Sequence, residues 1–175
     1  MTLIAEHITT GNVKELSYTR SPDSLVWALL DTGQLRCLTY EREQDVVAWH
    51  RHVIGGTNAL IQSIAAIPSA DELQEQLYMV VSRTINGVTK QYVEFLEESF
   101  DQAKGDTPAD AFFVDSGLSY TGTGVNSLSG LSHLEGETVK VLVNGANHPD
   151  KVVSSGSISL DRTATSAAVG LPFTA

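Results

Sequence analysis

The chain has 175 residues, of which 42% are hydrophobic and 18% are charged. These fractions are typical of a globular protein with a packed core and argue against wholesale disorder. The 21 acidic residues outnumber the 11 basic ones and give a net charge of -10. Such a surface repels phosphate, which argues against sequence-specific nucleic-acid binding but is compatible with an acidic wall along which DNA slides.

Two further features limit the class of protein. Cys37 is the single cysteine and lies in an apolar run, so we expect a small buried thiol with no internal disulfide. No apolar stretch reaches the ~20 residues that a membrane-spanning helix needs, and the first residues lack the pattern of a signal peptide. We therefore predict no membrane span and synthesis in a cytoplasm.

Tight turns occur at short intervals and predict an all-β fold. Asn86-Gly87 and Asn144-Gly145 are strong hairpin signals, because both central residues of a type I′ turn have positive φ. The predicted strands are Val13–Arg20, Ser24–Leu30, Gln34–Glu41, Asp45–His52, Ala59–Ile67, Gln76–Arg83, Val88–Phe95, Ala111–Val114, Thr138–Val143, Lys151–Val153, Ser157–Leu160 and Ser166–Val169. Both faces of the second strand are apolar, so we expect Trp27 to be buried between sheets.

A weak repeat indicates how the first part is organised. Ser21-Pro-Asp-Ser-Leu25 recurs as Ser69-Ala-Asp-Glu-Leu73, and each copy precedes an apolar strand, a glycine turn and a strand that ends in Tyr and Glu. The two copies are 48 residues apart, since Asp71 takes the place of Asp23. A period of about 40–50 residues with about four strands is typical of propeller blades, although chance similarity between two hairpins is an open alternative. Because the acidic segment 97–110 resembles a linker, we predict a propeller-blade-like region at 1–104 and a small β-barrel or sandwich domain at 105–175.

His50 and His52 are the most conspicuous candidates for a metal site, since they point to one face of a strand. A zinc site needs a third and usually a fourth ligand, and no partner is evident nearby in the sequence, so we expect no metal there. The acidic run Arg42-Glu-Gln-Asp45 lies where a connection between strands is expected, and we interpret it as a solvated loop.

Three other polar segments lack the context of a site. His133-Leu-Glu135-Gly-Glu137 is expected to be a turn, and Asn147-His148-Pro149-Asp150 a loop. Thr121-Gly-Thr-Gly-Val125 resembles a phosphate loop but lacks the Lys-Ser/Thr that follows one, so we expect a flexible loop. The sequence thus predicts no catalytic residue, no cofactor and no metal, and the protein is not expected to be an enzyme.

An ordered set of segments resembles virion proteins of tailed phages and prophages, in particular the tail tubular protein B or nozzle family. The most specific of them is the run Thr39–His50. The full set is Ser21-Pro-Asp-Ser-Leu-Val-Trp27, Gly33-Gln-Leu35, Leu38-Thr-Tyr-Glu-Arg-Glu-Gln-Asp-Val-Val-Ala-Trp-His-Arg-His52, Arg83-Thr-Ile-Asn-Gly87, Tyr92-Val-Glu94, Asp115-Ser-Gly-Leu-Ser-Tyr120, Leu131-Ser-His-Leu-Glu-Gly-Glu-Thr-Val139, Gly145, His148-Pro149 and Gly170-Leu-Pro-Phe173.

The resemblance implies a fragment of a longer virion tail protein with propeller-like blades and an inserted small barrel. It implies no catalytic residues, other tail proteins as partners, a homo-oligomeric ring in the full-length parent, and only non-specific passage of DNA. The expected location is the virion tail, after synthesis in the cytoplasm of a bacterial host. Two alternatives are a carbohydrate- or receptor-binding β module of a tail fibre and a hydrolase with a metal at His50 and His52.

Overall fold

The computed structural model of the chain describes residues 8, 10–41, 43, 45–70 and 73–173. These residues form β-strands joined by turns and two short 3-10 turns, so the all-β prediction is confirmed. No helix in this described part of the chain has the length and apolar character needed to cross a membrane. The strands are β1 (Val13–Thr19), β2 (Leu25–Leu30), β3 (Leu35–Glu41), β4 (Val46–His52), β5 (Thr57–Pro68), β6 (Glu75–Ile85), β7 (Val88–Phe95), β8 (Asp115–Ser129), β9 (Thr138–Val143), β10 (Ala146–Val152) and β11 (Ser157–Leu171).

The first sheet is an antiparallel meander in the order β1-β2-β3-β4. Its second strand is covered on both faces, because the four residues Trp27–Leu30 are each no more than 2% exposed. A continuous apolar run predicts this kind of double burial. The β2–β3 turn places Gly33 at φ 77°, a conformation that glycine adopts without steric cost.

The second sheet has the order β5-β6-β7 and contains a hairpin predicted from the sequence. Asn86 and Gly87 join β6 to β7 with φ values of 49° and 74°. Asn144 and Gly145 join β9 to β10 in the same way, at 51° and 74°. Both turns therefore have the positive φ angles of the predicted type I′ geometry.

The first and second sheets pack against each other over a shared core. Side chains of β1 also bind the backbone of β5: Glu15 accepts hydrogen bonds from Ile64 N at 2.8 Å and Ser63 Oγ at 2.9 Å, and Ser17 Oγ accepts one from Ala66 N at 2.8 Å. These bonds satisfy donors of an edge strand that has no strand partner on that side. The shared core consists of Trp27, Leu29, Leu35, Cys37, Ile61, Ile64, Leu77, Met79 and Val81.

The two copies of the weak repeat occupy equivalent places in these sheets. Residues 21–25 connect the first strand of one sheet to its second strand, and residues 69–73 do so in the other, with residues 71 and 72 outside the described part. The two connections also touch, since Ser21 Oγ donates to Leu73 O at 3.3 Å. Two successive antiparallel sheets agree with a blade-like organisation, although the second sheet has three strands where a propeller blade has four.

The third sheet, in the order β10-β9-β11-β8, corrects several expectations. Thr121–Val125 lies within β8, so the prediction of a flexible loop there is wrong. Asn147–Asp150 lies within β10 and is not a loop, whereas Ala111–Val114 forms no strand. The reason is pairing with distant residues: β8 is held along its length by β11, and this contact overrides its high content of Gly, Ser and Thr.

The third sheet has its own core and no closed barrel is found in the described residues. Ile85 of β6 is buried in this core and Tyr92 of β7 packs against it, so the two parts of the chain are in contact. The predicted boundary near residue 105 falls in the irregular connection 96–114. The division of the chain into two domains at this boundary stays a prediction. The remaining buried members of this core are Leu128, Leu131, Leu134, Val139, Val141, Val143, Val153, Ile158, Leu160, Ala164, Ala167, Val169 and Leu171.

Burial of Trp27 between the first two sheets is confirmed and leads to a first prediction. Its side chain is 2% exposed and its Nε1 donates to Thr19 Oγ1 at 3.1 Å. Trp27→Ala should lower the free energy of unfolding by roughly 3–5 kcal/mol, through lost transfer free energy and the cavity left behind. Urea unfolding followed by circular dichroism measures this loss, and an unchanged midpoint would show that the indole is peripheral.

Candidate functional site

The pairing of β3 with β4 brings Cys37 next to the two histidines. Cys37 lies directly opposite His50 in the register, and Leu35 lies opposite His52. Residues opposite each other on adjacent strands project from the same face, and residues two apart on one strand share that face as well. Since Cys37 and Leu35 belong to the core shared with the second sheet, both histidines stand at the margin of that core.

The sulfur of Cys37 and a ring nitrogen from each histidine lie within 4.8 Å of one another. Among the described residues no other group of three or more Cys, His, Asp or Glu side chains was found with this spacing. The ring centroids of His50 and His52 are 4.8 Å apart, and that of His52 is 5.1 Å from the nearer ring of Trp27. Cys37 is fully buried, His52 is partly buried and His50 is exposed.

The surroundings keep all three side chains uncharged at neutral pH. Burial raises the pKa of the Cys37 thiol to about 12. Burial, and secondly the neighbouring His50, lowers the pKa of His52 to about 4, while burial alone lowers that of His50. Two neutral imidazoles thus offer lone pairs beside a thiol. The Nε2 atom of His52 is enclosed and has no hydrogen-bond partner among the described residues.

Cys37 is the residue that reasoning from the sequence missed at this place. The expectation of no metal counted two imidazoles and found no third ligand near them in the chain. The register of the β3–β4 hairpin was the signal that could have found it, because pairing of these consecutive strands sets Cys37 opposite His50. One sulfur and two imidazole nitrogens form a ligand set suited to Zn²⁺ or Cu⁺ rather than to Mg²⁺ or Ca²⁺.

A second buried polar group lies where the three sheets meet. Arg83 of β6 is 0% exposed; its Nε donates to Gly55 O at 2.7 Å and its Nη1 donates to Glu94. The N–H of Gly55 donates in turn to the carboxylate of Asp115, the first residue of β8. The backbone of one residue, Gly55, in the connection between β4 and β5, therefore bonds to both the second and the third sheet.

This Arg83 group is better explained as a structural contact between the sheets than as an active site. The Arg83 charge is paired with Glu94 and its Nε is hydrogen-bonded. Burial raises the pKa of Asp115, and the hydrogen bond from Gly55 and the charge of Arg83 oppose that rise. The backbone also approaches closely here, since a Cβ added to Gly55 would stand 2.2 Å from the carbonyl oxygen of Pro172.

The His133–Glu137 segment forms a turn as predicted, with its polar groups directed to different partners. His133 Nε2 lies 2.9 Å from Ser116 O. Glu135 accepts a hydrogen bond from Gly156 N at 2.7 Å, and Glu137 accepts one from Asn86 N at 3.3 Å. Each side chain bonds to a different segment of the chain, so the three do not assemble a common site.

The remaining predicted polar segments also have structural roles. Arg42 and Gln44 lie outside the described residues, and Glu43 and Asp45 are exposed between strands, as expected of a connection. His148 is a buried strand residue whose Nδ1 lies 2.8 Å from Pro149 O and whose Nε2 accepts from Asp161 N at 2.9 Å. Its ring therefore connects the backbone of β10 to that of β11.

No protein-family model matches the sequence, and no curated protein matches it with significant similarity. The resemblance to phage nozzle proteins therefore depends on the sequence segments quoted above.

The close approach at Gly55 predicts a large effect from one methyl group. Gly55→Ala should lower the free energy of unfolding by about 1–3 kcal/mol, because the backbone of Pro172 must move to admit the Cβ. Gly122→Ala is the control, since its Cβ would meet chiefly the hydroxyl end of the Tyr120 side chain. If urea unfolding showed the same loss of free energy of unfolding in both variants, the structural contact between the sheets at Gly55 would be contradicted.

The raised pKa of Asp115 predicts a dependence on pH that Asp115→Asn lacks. In the unfolded chain the Asp115 carboxyl releases its proton above its ordinary pKa of about 3.9. In the folded chain the same carboxyl keeps its proton to a higher pH, because burial raises its pKa. The free energy of unfolding of the parent chain should therefore fall relative to Asp115→Asn as the pH rises from below about 4 through the raised pKa. Urea unfolding of both proteins across this range tests the sign, and a difference that moves the other way would refute it.

Proposed function

We propose that the chain is a non-catalytic structural module of a tailed-phage virion and forms part of the nozzle wall through which DNA passes. The nozzle-like sequence segments support the protein class. The observation that carries the assembly part of the proposal is an uncovered apolar face on the second sheet. Its position suits a module that packs against a further sheet.

The outer face of the second sheet carries large apolar side chains. Tyr78 of β6 lies opposite Phe95 of β7, with ring centroids 5.6 Å apart, and Val80 lies opposite Val93. Val93 is 73% exposed and Phe95 is 46% exposed. Ile67 of β5 extends this apolar face, being 45% exposed. Exposed apolar residues that are contiguous in this way mark a surface for another protein.

A neighbouring sheet of the same blade-like design is the occupant that we propose. The inner face of the second sheet is already covered by the first sheet, through the core that contains Leu77 and Met79. Repetition of this sheet-on-sheet packing would cover the outer face with the next unit. Closed cyclic symmetry in the full-length parent would then satisfy such faces without open-ended growth.

The charge of the chain supports the same role. Its net charge of -10 makes tight binding to phosphate unfavourable. A channel wall must let DNA pass without a stop, and like charges lower the affinity for each part of the passing strand. Passage of DNA would therefore be non-specific.

A carbohydrate-binding module is the second candidate, and the Tyr78–Phe95 pair is the observation that favours it. Exposed aromatic rings can stack on the apolar faces of sugars. Trp27 cannot serve in this way because it is buried. Saturable binding of host-surface glycan, abolished by Phe95→Ala, would favour this candidate over the channel wall.

The channel-wall proposal predicts that phage assembly depends on the outer apolar face. In a phage that encodes this sequence, Val93→Glu should strongly reduce incorporation of the full-length protein into particles, because it places a charge in the contact. Gln91→Glu, on the same exposed strand but outside the apolar patch, should leave incorporation unchanged. Electron microscopy and mass spectrometry of purified particles provide the readout.

The expected image is a closed ring of the full-length protein at the tail of the particle. Circular dichroism of the purified variants should show that both remain folded, since Val93 is largely exposed. A full-length protein that is absent from particles, or that turns over a substrate as a monomer, would refute the proposal.

A further inference from the structure

We propose that Cys37, His50 and His52 together bind one Zn²⁺ ion at the margin of the first sheet. This inference is independent of the proposed function, because it depends only on the geometry of β3 and β4. It departs from the expectation drawn from the sequence, in which two imidazoles left a tetrahedral site half filled. The structure brings a third ligand to the same face.

The spacing of the three ligand atoms suits a single ion. They lie within 4.8 Å of one another, whereas neighbouring ligands of a tetrahedral zinc, with bonds of about 2.0–2.3 Å, are separated by about 3.3–3.8 Å. We expect rotation of the side chains to close a gap of this size while the strands stay in place. The Cα positions are already set by the ladder, since Cys37 is paired with His50.

The chemistry of each ligand is also appropriate. His50 and His52 are neutral near pH 7, so their ring nitrogens need no deprotonation before they bind a metal. The Cys37 thiol must lose its proton, and binding therefore releases one H⁺ to solvent as the sulfur–zinc bond forms. The enclosed Nε2 of His52 would gain the partner that it lacks among the described residues.

The position of the site determines what completes the coordination sphere. Cys37 is fully buried on one side of the cluster, whereas His50 is exposed on the other. A water molecule can therefore fill the fourth position from the solvent side. An ion held in this way would connect the edge strand β4 to the core between the first two sheets, so its expected effect is stabilisation.

The test uses the untagged 175-residue chain, stripped with EDTA and titrated with zinc sulfate by calorimetry. We expect one zinc per chain and a higher midpoint of thermal unfolding with zinc present. Titration with Co²⁺ should produce a thiolate-to-cobalt absorption band, which reports directly on the sulfur of Cys37. The chain should also release protons on binding zinc, detected as a dependence of the apparent enthalpy on buffer.

Three variants distinguish zinc at this cluster from zinc bound elsewhere on the chain. His50→Gln changes an exposed side chain and should fold, yet bind zinc at least tenfold more weakly. Cys37→Ala should lose the cobalt band, and His133→Gln, outside the cluster, should bind like the parent. Failure of the parent to bind at one equivalent would overturn the proposal. So would binding that both His50→Gln and Cys37→Ala leave unchanged, since the metal would then occupy other carboxylates or histidines.

Discussion

The backbone of Gly55 is the constraint on which the arrangement of the three sheets depends. Its carbonyl accepts a hydrogen bond from the buried Arg83, and its N–H donates to Asp115 at the start of the third sheet. A buried guanidinium requires partners, because an isolated charge in a protein interior is costly. Glu94 binds its Nη1 and the Gly55 carbonyl binds its Nε, whereas Nη2 has no hydrogen-bond partner among the described residues. The bond to Gly55 ties the connection between the first two sheets to β6.

The connection between β4 and β5 also helps to hold the three antiparallel sheets in contact. In the first two sheets each strand pairs with the next one along the chain, whereas in the third sheet β11 lies between β9 and β8. Contacts between the sheets come from side chains: the core shared by the first two sheets, and Ile85 of the second sheet inside the core of the third. The second sheet is thus covered by the first on one face and leaves Val93 and Phe95 uncovered on the other. A surface of this kind is the physical basis for proposing a further sheet as partner.

Edge strands concentrate the polar chemistry of this molecule. β1 presents Glu15 and Ser17 to the backbone of β5, and β4 presents two histidines at the margin of a core that contains Cys37. At such margins, side chains that face the core are shielded from water, whereas their neighbours on the outer side are exposed to it. The fully buried thiol and the exposed His50 illustrate both within one cluster. The proposed zinc site is compatible with the proposed role in the nozzle wall. A structural metal and a wall protein both require a rigid sheet, and neither requires catalysis.

The amino-acid sequence by itself determined the local structure wherever pattern and turn chemistry agreed. Asn86-Gly87 defined a hairpin, because positive φ favours Asn and Gly. The apolar run around Trp27 defined a strand covered on both faces, because burial of both faces requires apolar residues at successive positions. Only the tertiary structure decided that Thr121–Val125 is a strand, since its support comes from β11, far along the chain. It also decided that Cys37 meets His50 and that Gly55 joins Arg83 to Asp115. The Cys37–His50 contact depends on the register of one hairpin and the Gly55 contacts on sheet packing, and residue type alone specifies neither.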